Sequence, residues 1–364
     1  MSIRPRRSLL NPALTRPSAL SSVPRDPKFL WLDKNENLDA MLLEVSRDVL
    51  SQVPPEAIAT YPEAGEVYRK LAAWIGVSPE SLLLTPGSDG AIRLTFEAFV
   101  EHGDPVVHTS PTFAMYPVYS QMFGASVTTI EYEPSADGPV LNVDAVIAAV
   151  KAHAPKLLCL PNPDSPTGTT VEPERLRAIL DACEAAGTVL LVDEAYHPFY
   201  PWSAATWTAS SRNLIIARTF AKAWGAAGLR IGYAIAHPET IGLLHKMRPM
   251  YEVSTLAVEY VQRLLDRVPA MEQTVERLTD GKARFVADMR ALGFRVLPTS
   301  GNFVHIAFGE KGPAVHAALA ARVLYRARFD QPCLAGFSRF SVAPYEIMRE
   351  VTALITAAVE EKRS

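Results

Sequence analysis

Residues 156–217 contain three short apolar runs: KLLCL at 156–160, VLLV at 189–192 and NLIIA at 213–217. A stretch with helical periodicity, about residues 172–186, separates the first run from the second. Unbroken apolar runs of this length are typical of strands buried on both faces, and strands that alternate with helices form parallel sheets. This part of the chain therefore predicts an α/β fold with a mostly parallel central sheet.

The same alternation continues on both sides of that stretch, with further strands predicted at 81–85, 105–108 and 230–236. Beyond residue 264 the chain becomes helix-rich, and short strands followed by a terminal helix predict a smaller α+β domain, with strands at about 294–297, 302–307 and 338–342. We expect three parts: an N-terminal arm that also contributes to the small domain (1–45), a large domain (46–264) and a small C-terminal domain (265–364).

The composition excludes several classes of protein. Lys and Arg total 36 against 39 for Asp and Glu, so the basic excess of a phosphate-binding nucleic-acid protein is missing. Three scattered cysteines fit neither a disulfide framework nor a zinc site, and no stretch approaches the ~20 apolar residues of a membrane span. The arginine-rich first 25 residues lack the apolar core of a secretory signal. We expect a soluble cytoplasmic protein whose N-terminal arm lies on its own body or on a partner subunit.

Three features lie where α/β sheets bind ligands, just beyond the ends of strands. Asp193 follows VLLV, and an acid buried there in its ionised form requires a cation. Lys222 lies among small residues in TFAKAWGAAGLR (219–230), which would let a planar ligand approach and would lower the lysine pKa. The residues GSDG (87–90) join a strand to a helix, whose first N–H groups favour a phosphate. Singly, these features also fit a turn acid, an exposed lysine and a helix cap.

Taken together, the three features match what pyridoxal phosphate requires. The lysine holds the aldehyde as an imine, the anion site holds the phosphate, and the carboxylate keeps the pyridine nitrogen protonated so that the ring accepts electrons. An aromatic side chain is also needed to stack on the ring, and Phe113 follows a strand end. The sequence therefore predicts a pyridoxal-phosphate enzyme.

The segment TFAKAWGAAGLRIGY (219–233) resembles the lysine segment of fold-type I pyridoxal-phosphate aminotransferases, and most of all that of the histidinol-phosphate aminotransferase family. Further matches follow in the same order along nearly the whole chain: LDKNEN (32–37), YPE (61–63), GSD (87–89), SPTFAMY (110–116), NPDSPTG (162–168), VDEAY (192–196), SGNF (300–303) and SRFSVAP (338–344). Each match is weak by itself, but all eight in register with the lysine segment are specific.

The resemblance implies a role for each matching residue. Lys222 would form the Schiff base and move the proton, Asp193 would pair with the pyridine nitrogen, and Tyr196 would donate to the phenolic oxygen. The phosphate would be held by Ser88, Asp89, Thr219 and Arg230, the ring would stack on Phe113, and the substrate would be bound by Arg339 with Asn302 nearby. Tyr61 would reach the phosphate of the neighbouring subunit, which implies a homodimer with shared active sites.

Several positions depart from the family pattern. Ala221 replaces a phosphate-binding Ser or Thr, and NPNNPTG has become NPDSPTG, which places Ser165 where the family has an asparagine at the phenolic oxygen. We leave that contact unassigned between Asp164 and Ser165. Leu38 replaces a proline and is expected near the substrate entrance. Because the cofactor positions otherwise match, these changes suggest an amino donor other than histidinol phosphate.

Four functions remain to be compared. The first is an aminotransferase acting on an amino acid or phosphorylated amine and a 2-oxo acid, and the second is a decarboxylase of the threonine-phosphate type, which would use the same residues. A non-enzymatic cofactor-binding regulator would need a DNA-binding module, and no helix-turn-helix pattern is present. A nicotinamide dehydrogenase would need the glycine fingerprint GxGxxG, which is also missing.

Overall fold

A computed structural model of the chain describes residues 3–16, 20 and 23–360. Its main sheet has eight strands in the order β2-β9-β8-β7-β6-β3-β4-β5. The strands of this sheet are β2 (Leu82–Thr85), β3 (Pro105–Ser110), β4 (Ser126–Glu133), β5 (Val140–Leu141), β6 (Leu157–Pro161), β7 (Val189–Asp193), β8 (Leu214–Thr219) and β9 (Gly232–Ala236).

The pairing confirms a mostly parallel sheet. Strands β4, β3, β6, β7 and β8 run parallel to one another, whereas β9, β2 and β5 pair antiparallel with their neighbours. All the strands predicted for this sheet are present. The chain also forms β4 and β5, which were not predicted. Strand β4 is largely solvent-facing and has no continuous apolar run by which to recognise it.

Helices cover both faces of this sheet. The helices of the chain up to residue 264 are α1 (Ala40–Ser51), α2 (Gly65–Ile75), α3 (Gly87–Phe99), α4 (Met115–Phe123), α5 (Val143–His153), α6 (Pro173–Ala186), α7 (Pro238–Met247) and α8 (Thr255–Leu264). Alternate residues of one strand enter different cores: Leu190 and Val192 of β7 pack with α2, α6 and α8, and Leu191 packs with α3, α4 and α7. Burial on both faces explains the unbroken apolar runs.

A smaller, antiparallel sheet forms near the C-terminus in the order β10-β11-β13, from β10 (Arg295–Leu297), β11 (Phe303–Ala307) and β13 (Phe337–Ser341). It packs against α9 (Val268–Ala291), α10 (Gly312–Leu319) and α11 (Tyr345–Glu360) around a core of its own. The N-terminal segment joins this part of the molecule, because β1 (Leu30–Trp31) pairs with β12 (Val323–Leu324). The proposed boundary at 45/46 lies within α1, and residues 1, 2, 17–19, 21, 22 and 361–364 of the outer parts lie outside the described residues.

The fold brings the carboxyl ends of β3, β6, β7 and β8 to one edge of the main sheet. Ser110, Pro161, Asp193 and Thr219 are the last residues of these four parallel strands. The candidate residues of the sequence therefore meet at this edge, as expected for a ligand site of an open α/β sheet. In the described part of the chain, no helix has the length and apolarity needed to cross a membrane.

Gly281 in α9 provides a test of how closely α9 packs against the chain before α11. A Cβ added there would collide with the backbone of Ala343 and Tyr345, whereas a Cβ on Gly242 in α7 would meet nothing. We expect Gly281→Ala to lower the free energy of unfolding by about 1–3 kcal/mol. The control Gly242→Ala should raise it by about 0.5–1 kcal/mol, because alanine is the better helix former. Urea unfolding monitored by circular dichroism measures both; stabilisation by Gly281→Ala would contradict the close packing.

Candidate active site

A cavity of about 780 Å³ lies at the carboxyl edge of the main sheet. Nine of the eleven site residues expected from the sequence line it: Ser88, Asp89, Phe113, Asp193, Tyr196, Thr219, Lys222, Arg230 and Arg339. They come from six separate stretches of the chain between residues 88 and 339. The two that do not line this cavity are Tyr61 and Asn302.

One corner of the cavity is formed by the start of α3. The helix begins at Gly87 directly after β2, so the N–H groups of Ser88 and Asp89 belong to its first turn and have no partner within the helix. The Arg230 guanidinium lies against this turn, since a Cβ on Gly87 would be 2.8 Å from its Nη2. Gly232 allows β9 to approach the start of α3 closely, because a Cβ there would be 2.5 Å from the backbone of Gly87. The corner therefore combines the free N–H groups and the positive charge that an anion requires.

Asp193 occupies the floor of the cavity. Its carboxylate is only 5% exposed and accepts hydrogen bonds from the Ala195 N–H at 3.0 Å and from the Tyr116 hydroxyl at 3.2 Å. Burial raises the pKa of Asp193 to about 6, against the opposing effect of these two hydrogen bonds. A carboxylate in such surroundings is stabilised by a cation that binds next to it.

Lys222 is half-buried and its Nζ donates to the carbonyl oxygen of Lys34 at 2.8 Å. Burial, the largest cause, and the nearby Arg339 guanidinium lower the pKa of Lys222 to about 8, while Glu36 and Asp193 oppose the shift. A lysine with a pKa near 8 is partly neutral at neutral pH. It can therefore act as a nucleophile or as a base.

Tyr196 and Arg339 are both bonded to the same N-terminal stretch. The Tyr196 hydroxyl accepts a hydrogen bond from Asn35 Nδ2 at 2.8 Å, and Arg339 Nη2 donates to the carbonyl oxygen of Asp33 at 2.9 Å. The Arg339 Nε is buried without a partner in the described structure. Asn302 lies behind this stretch and donates to the carbonyl oxygen of Asn35 at 3.0 Å. Asn302 thus supports the cavity wall and does not face the cavity.

The two aromatic residues predicted for the site differ in their surroundings. Phe113 lines the cavity, with its ring at right angles to that of Tyr116 and the ring centroids 5.9 Å apart. Tyr61 is 71% exposed and stacks on Tyr251, with the ring centroids 4.1 Å apart. Tyr61 is therefore open to a neighbouring molecule.

The positions that depart from the family pattern differ in their relation to the cavity. Ser165 and Ala221 line the cavity, whereas Asp164 is fully buried beneath it. Asp164 Oδ2 accepts hydrogen bonds from the N–H and the hydroxyl of Thr167 at 2.9 and 2.6 Å, and its Oδ1 has no partner in the described structure. Burial raises the pKa of Asp164 to about 7. Leu38 does not line the cavity, and its place near the substrate entrance stays a prediction.

Sequence reasoning missed four residues that shape the site: Asn35, Tyr116, Gly232 and Arg326. Asn35 and Tyr116 stand within quoted motifs, but their partners Tyr196 and Asp193 are 161 and 77 residues away along the chain. Arg326 lines the cavity next to Arg339, with which it exchanges two backbone hydrogen bonds of 2.8 and 3.0 Å. The isolated bridge between these two arginines has no sequence pattern of its own.

Fold and site together define an α/β protein in which a helix N-terminus, a buried acid and a lysine of lowered pKa share one cavity. The family model described as aminotransferase class I and II matches residues 27–354, and the chain belongs to this family. It is a fold-type I aminotransferase.

The chain is similar to curated histidinol-phosphate aminotransferases. It is 31% identical over 316 residues to that of Caldanaerobacter subterraneus, covering 86% of this chain and 88% of the relative. It is 33% identical to that of Symbiobacterium thermophilum, covering 91% and 90%. The structure of the Sinorhizobium meliloti histidinol-phosphate aminotransferase in complex with pyridoxal 5'-phosphate superposes with a TM-score of 0.79 at 23% identity, covering 94% and 96% of the two chains.

The buried Asp164 predicts a pH-dependent stability. Its pKa is raised from 3.8 to about 7, so the folded state favours the protonated acid, and stability is lost as the pH rises from about 4 through 7. We expect Asp164→Asn, which has no charge to bury, to unfold at about the wild-type temperature at pH 4–5 and a few degrees above it at pH 8. Thermal unfolding of the cofactor-free proteins measures this difference. The exposed Asp137→Asn is the control, and a difference that does not change with pH would contradict the assignment.

Proposed function

We propose that this aminotransferase moves an amino group between an anionic donor, either an amino acid or a phosphorylated amine, and a 2-oxo acid. Lys222 is the amine that bonds to the cofactor and then carries the substrate proton. The observation that supports this proposal is the convergence of Lys222, Asp193, Tyr196 and Arg339 on one cavity that also contains a helix N-terminus.

The cofactor of the enzyme is pyridoxal phosphate, and the cavity has a group for each part of it. The first turn of α3, Thr219 and Arg230 would hold the phosphate, and Phe113 would stack on the ring. Among the described residues, Asp193 accepts two hydrogen bonds and forms no ion pair, and a protonated pyridine nitrogen would satisfy that buried carboxylate. When bound, the cofactor supplies an aldehyde that reacts with amines and a ring that accepts the electron pair from the substrate Cα.

The chain's own residues supply the proton transfer and the orientation. The Lys222 amine, with its pKa lowered to about 8, takes the proton from the substrate Cα in its neutral form. Asp193 remains ionised beside the positive ring nitrogen, which stabilises the charge that develops there. Tyr196, whose hydroxyl oxygen already accepts a hydrogen bond, has its proton available for the cofactor's phenolic oxygen. Donor and acceptor use the same site in turn, so we expect ping-pong kinetics.

Two guanidinium groups support an anionic substrate. Within the part of the chain that the structure describes, Arg339 has a buried Nε without a partner. Its guanidinium lies 5.4 Å from the centre of the Phe303 ring, which limits its movement. Arg326 lines the cavity beside it. A planar guanidinium binds carboxylate or phosphate oxygens in pairs. Ala221 and Ser165 lie in the part of the cavity assigned to the cofactor. Substitutions there affect the cofactor more directly than the donor, so they are weaker evidence against histidinol phosphate than their sequence positions suggested.

A donor panel tests the proposal. The purified enzyme loaded with pyridoxal phosphate should lose its visible absorption band on addition of one class of anionic donor and should release one 2-oxo product per site. Histidinol phosphate as the best donor would contradict the expectation of another donor. Lys222→Ala should bind the cofactor but lose at least about 10³-fold in rate, because proton transfer then lacks its base.

The outcomes of the panel separate the alternatives. Release of carbon dioxide without a 2-oxo product would favour the decarboxylase. Retention of near-normal transamination by Lys222→Ala would refute the role of this lysine. A protein that shows no visible band with added cofactor would refute the assignment of the site.

We also propose a homodimer in which each cavity is completed by Tyr61 of the neighbouring subunit. Tyr61 is largely exposed, lies outside its own cavity and is held in place by stacking on Tyr251. Large exposed apolar side chains, among them Ile58 and Met250, are on the same stretches of chain. An exposed apolar surface of this kind is typical of a subunit interface.

Mixed dimers test the shared site. Tyr61→Phe keeps the ring on Tyr251 but removes the hydroxyl, so we expect the homodimer to bind pyridoxal phosphate about tenfold more weakly. A mixed dimer of Tyr61→Phe with Lys222→Ala contains one intact site if Tyr61 serves the neighbouring subunit, and should regain about half the wild-type activity per dimer at limiting cofactor. Activity no higher than that of the two parents would show that Tyr61 serves its own subunit or neither.

A further inference from the structure

The segment 33–37 (Asp33, Lys34, Asn35, Glu36 and Asn37) lies between the main sheet and the small C-terminal sheet. Three consecutive carbonyl oxygens of this segment each accept a hydrogen bond from a side chain at the site: Asp33 from Arg339 at 2.9 Å, Lys34 from Lys222 at 2.8 Å and Asn35 from Asn302 at 3.0 Å. The segment is thus bonded to residues from both parts of the molecule.

Asn35 is the most constrained residue of the segment. It is 2% exposed and has a positive φ of 55°, a conformation that asparagine tolerates better than most residues. Its N–H donates to Ser341 Oγ at 2.7 Å, and Ser341 Oγ donates in turn to Asn35 Oδ1 at 3.0 Å. Because Oδ1 accepts from Ser341, the amide nitrogen is the atom that points to Tyr196.

This orientation determines where the proton of Tyr196 goes. Asn35 Nδ2 donates to the Tyr196 hydroxyl oxygen at 2.8 Å, so the O–H of Tyr196 cannot be donated back to Asn35. Tyr196 is buried, with the Phe303 ring packed against one side and the cavity on another. The proton of Tyr196 is therefore directed toward the cavity.

We propose that Asn35 is a positioning residue that orients the hydroxyl proton of Tyr196 toward the phenolic oxygen of the cofactor. The proposal rests on the role of Tyr196 given under the proposed function. Asn35 does not touch the reacting atoms and acts through Tyr196. Ser165 is also within hydrogen-bonding reach of the Tyr196 hydroxyl, and Arg339 and Asp193 act on it through their charge. Asn35 differs from all three because its Nδ2 is a hydrogen-bond donor that cannot accept the Tyr196 proton.

Two substitutions separate this role from support of the fold. Asn35→Asp keeps the oxygen that accepts from Ser341 and keeps the tolerance for positive φ, but it replaces the donor facing Tyr196 by an acceptor. Tyr196 would then donate to that acceptor. Asn35→Gly keeps the backbone hydrogen bonds and the positive φ, and removes both side-chain contacts without adding an acceptor.

The readout is the pH titration of the visible absorption of the enzyme loaded with pyridoxal phosphate, without substrate. A hydrogen bond donated to the phenolic oxygen favours its anionic form, so diverting the Tyr196 proton should raise the midpoint of the titration. We expect Asn35→Asp and Tyr196→Phe each to raise it by about one pH unit, and Asn35→Gly to raise it less. In the Tyr196→Phe background, Asn35→Asp should add less than half of the shift that it causes alone.

Comparing the shift caused by Asn35→Asp in the wild-type and Tyr196→Phe backgrounds also separates the lost hydrogen bond from the effect of the added negative charge. The new carboxylate raises the midpoint by its charge whether or not Tyr196 has a hydroxyl, so an equal shift in both backgrounds would overturn the proposal. An unchanged midpoint in both Asn35 variants, with a clear shift in Tyr196→Phe, would overturn it and leave the role of Tyr196 intact. An unchanged midpoint in Tyr196→Phe would overturn both. Thermal unfolding of the cofactor-free variants shows whether they fold, and Asn35→Gly alone decides the test if Asn35→Asp does not fold.

Discussion

The buried carboxylate of Asp193 is the constraint on which the site depends. It lies at the end of β7 in the middle of the main sheet, with one amide and one phenol as its hydrogen-bond donors. Burying an ionised carboxylate costs several kcal/mol unless a cation compensates it. A protonated pyridine nitrogen would supply that positive charge, and its planar ring suits this cavity. The remaining groups would hold such a ring, with the start of α3 and Arg230 at its phosphate and Lys222 at its aldehyde.

Cationic side chains reach the cavity from distant stretches of the chain. Lys222 follows β8, Arg230 precedes β9, and Arg339 belongs to the small C-terminal sheet, so three cations reach the cavity from three elements. Arg339 contributes to the lowered pKa of Lys222, while Glu36 and Asp193 limit that shift. The result is a lysine whose proton is easily exchanged at neutral pH. An enzyme that must both accept and return a proton requires such an intermediate basicity.

The segment 33–37 connects the two parts of the protein through hydrogen bonds that include its own backbone. Its Asn37 side chain donates to the carbonyl oxygen of Ala223, next to Lys222, and to Thr274 of α9. Because backbone carbonyls carry no sequence signature, most of this arrangement was invisible before the structure was known. The motif LDKNEN was recognised only by resemblance. The structure shows why its asparagines matter: they are buried and bonded to residues more than 100 positions away.

The sequence by itself determined the order of strands and helices, the mostly parallel sheet and the chemical groups of the site, because each of these leaves a local pattern of apolar runs, small residues or strand-end polar residues. Strand β4 was not predicted, since a partly exposed strand has no unbroken apolar run. Only the tertiary structure decided which groups meet. In the folded chain Asn302 lies behind the cavity wall, and Arg326 lies beside Arg339. Asn35 is hydrogen-bonded to Tyr196, and Tyr116 is hydrogen-bonded to Asp193. These contacts join residues far apart along the chain, and their geometry depends on how the whole molecule packs rather than on any local sequence.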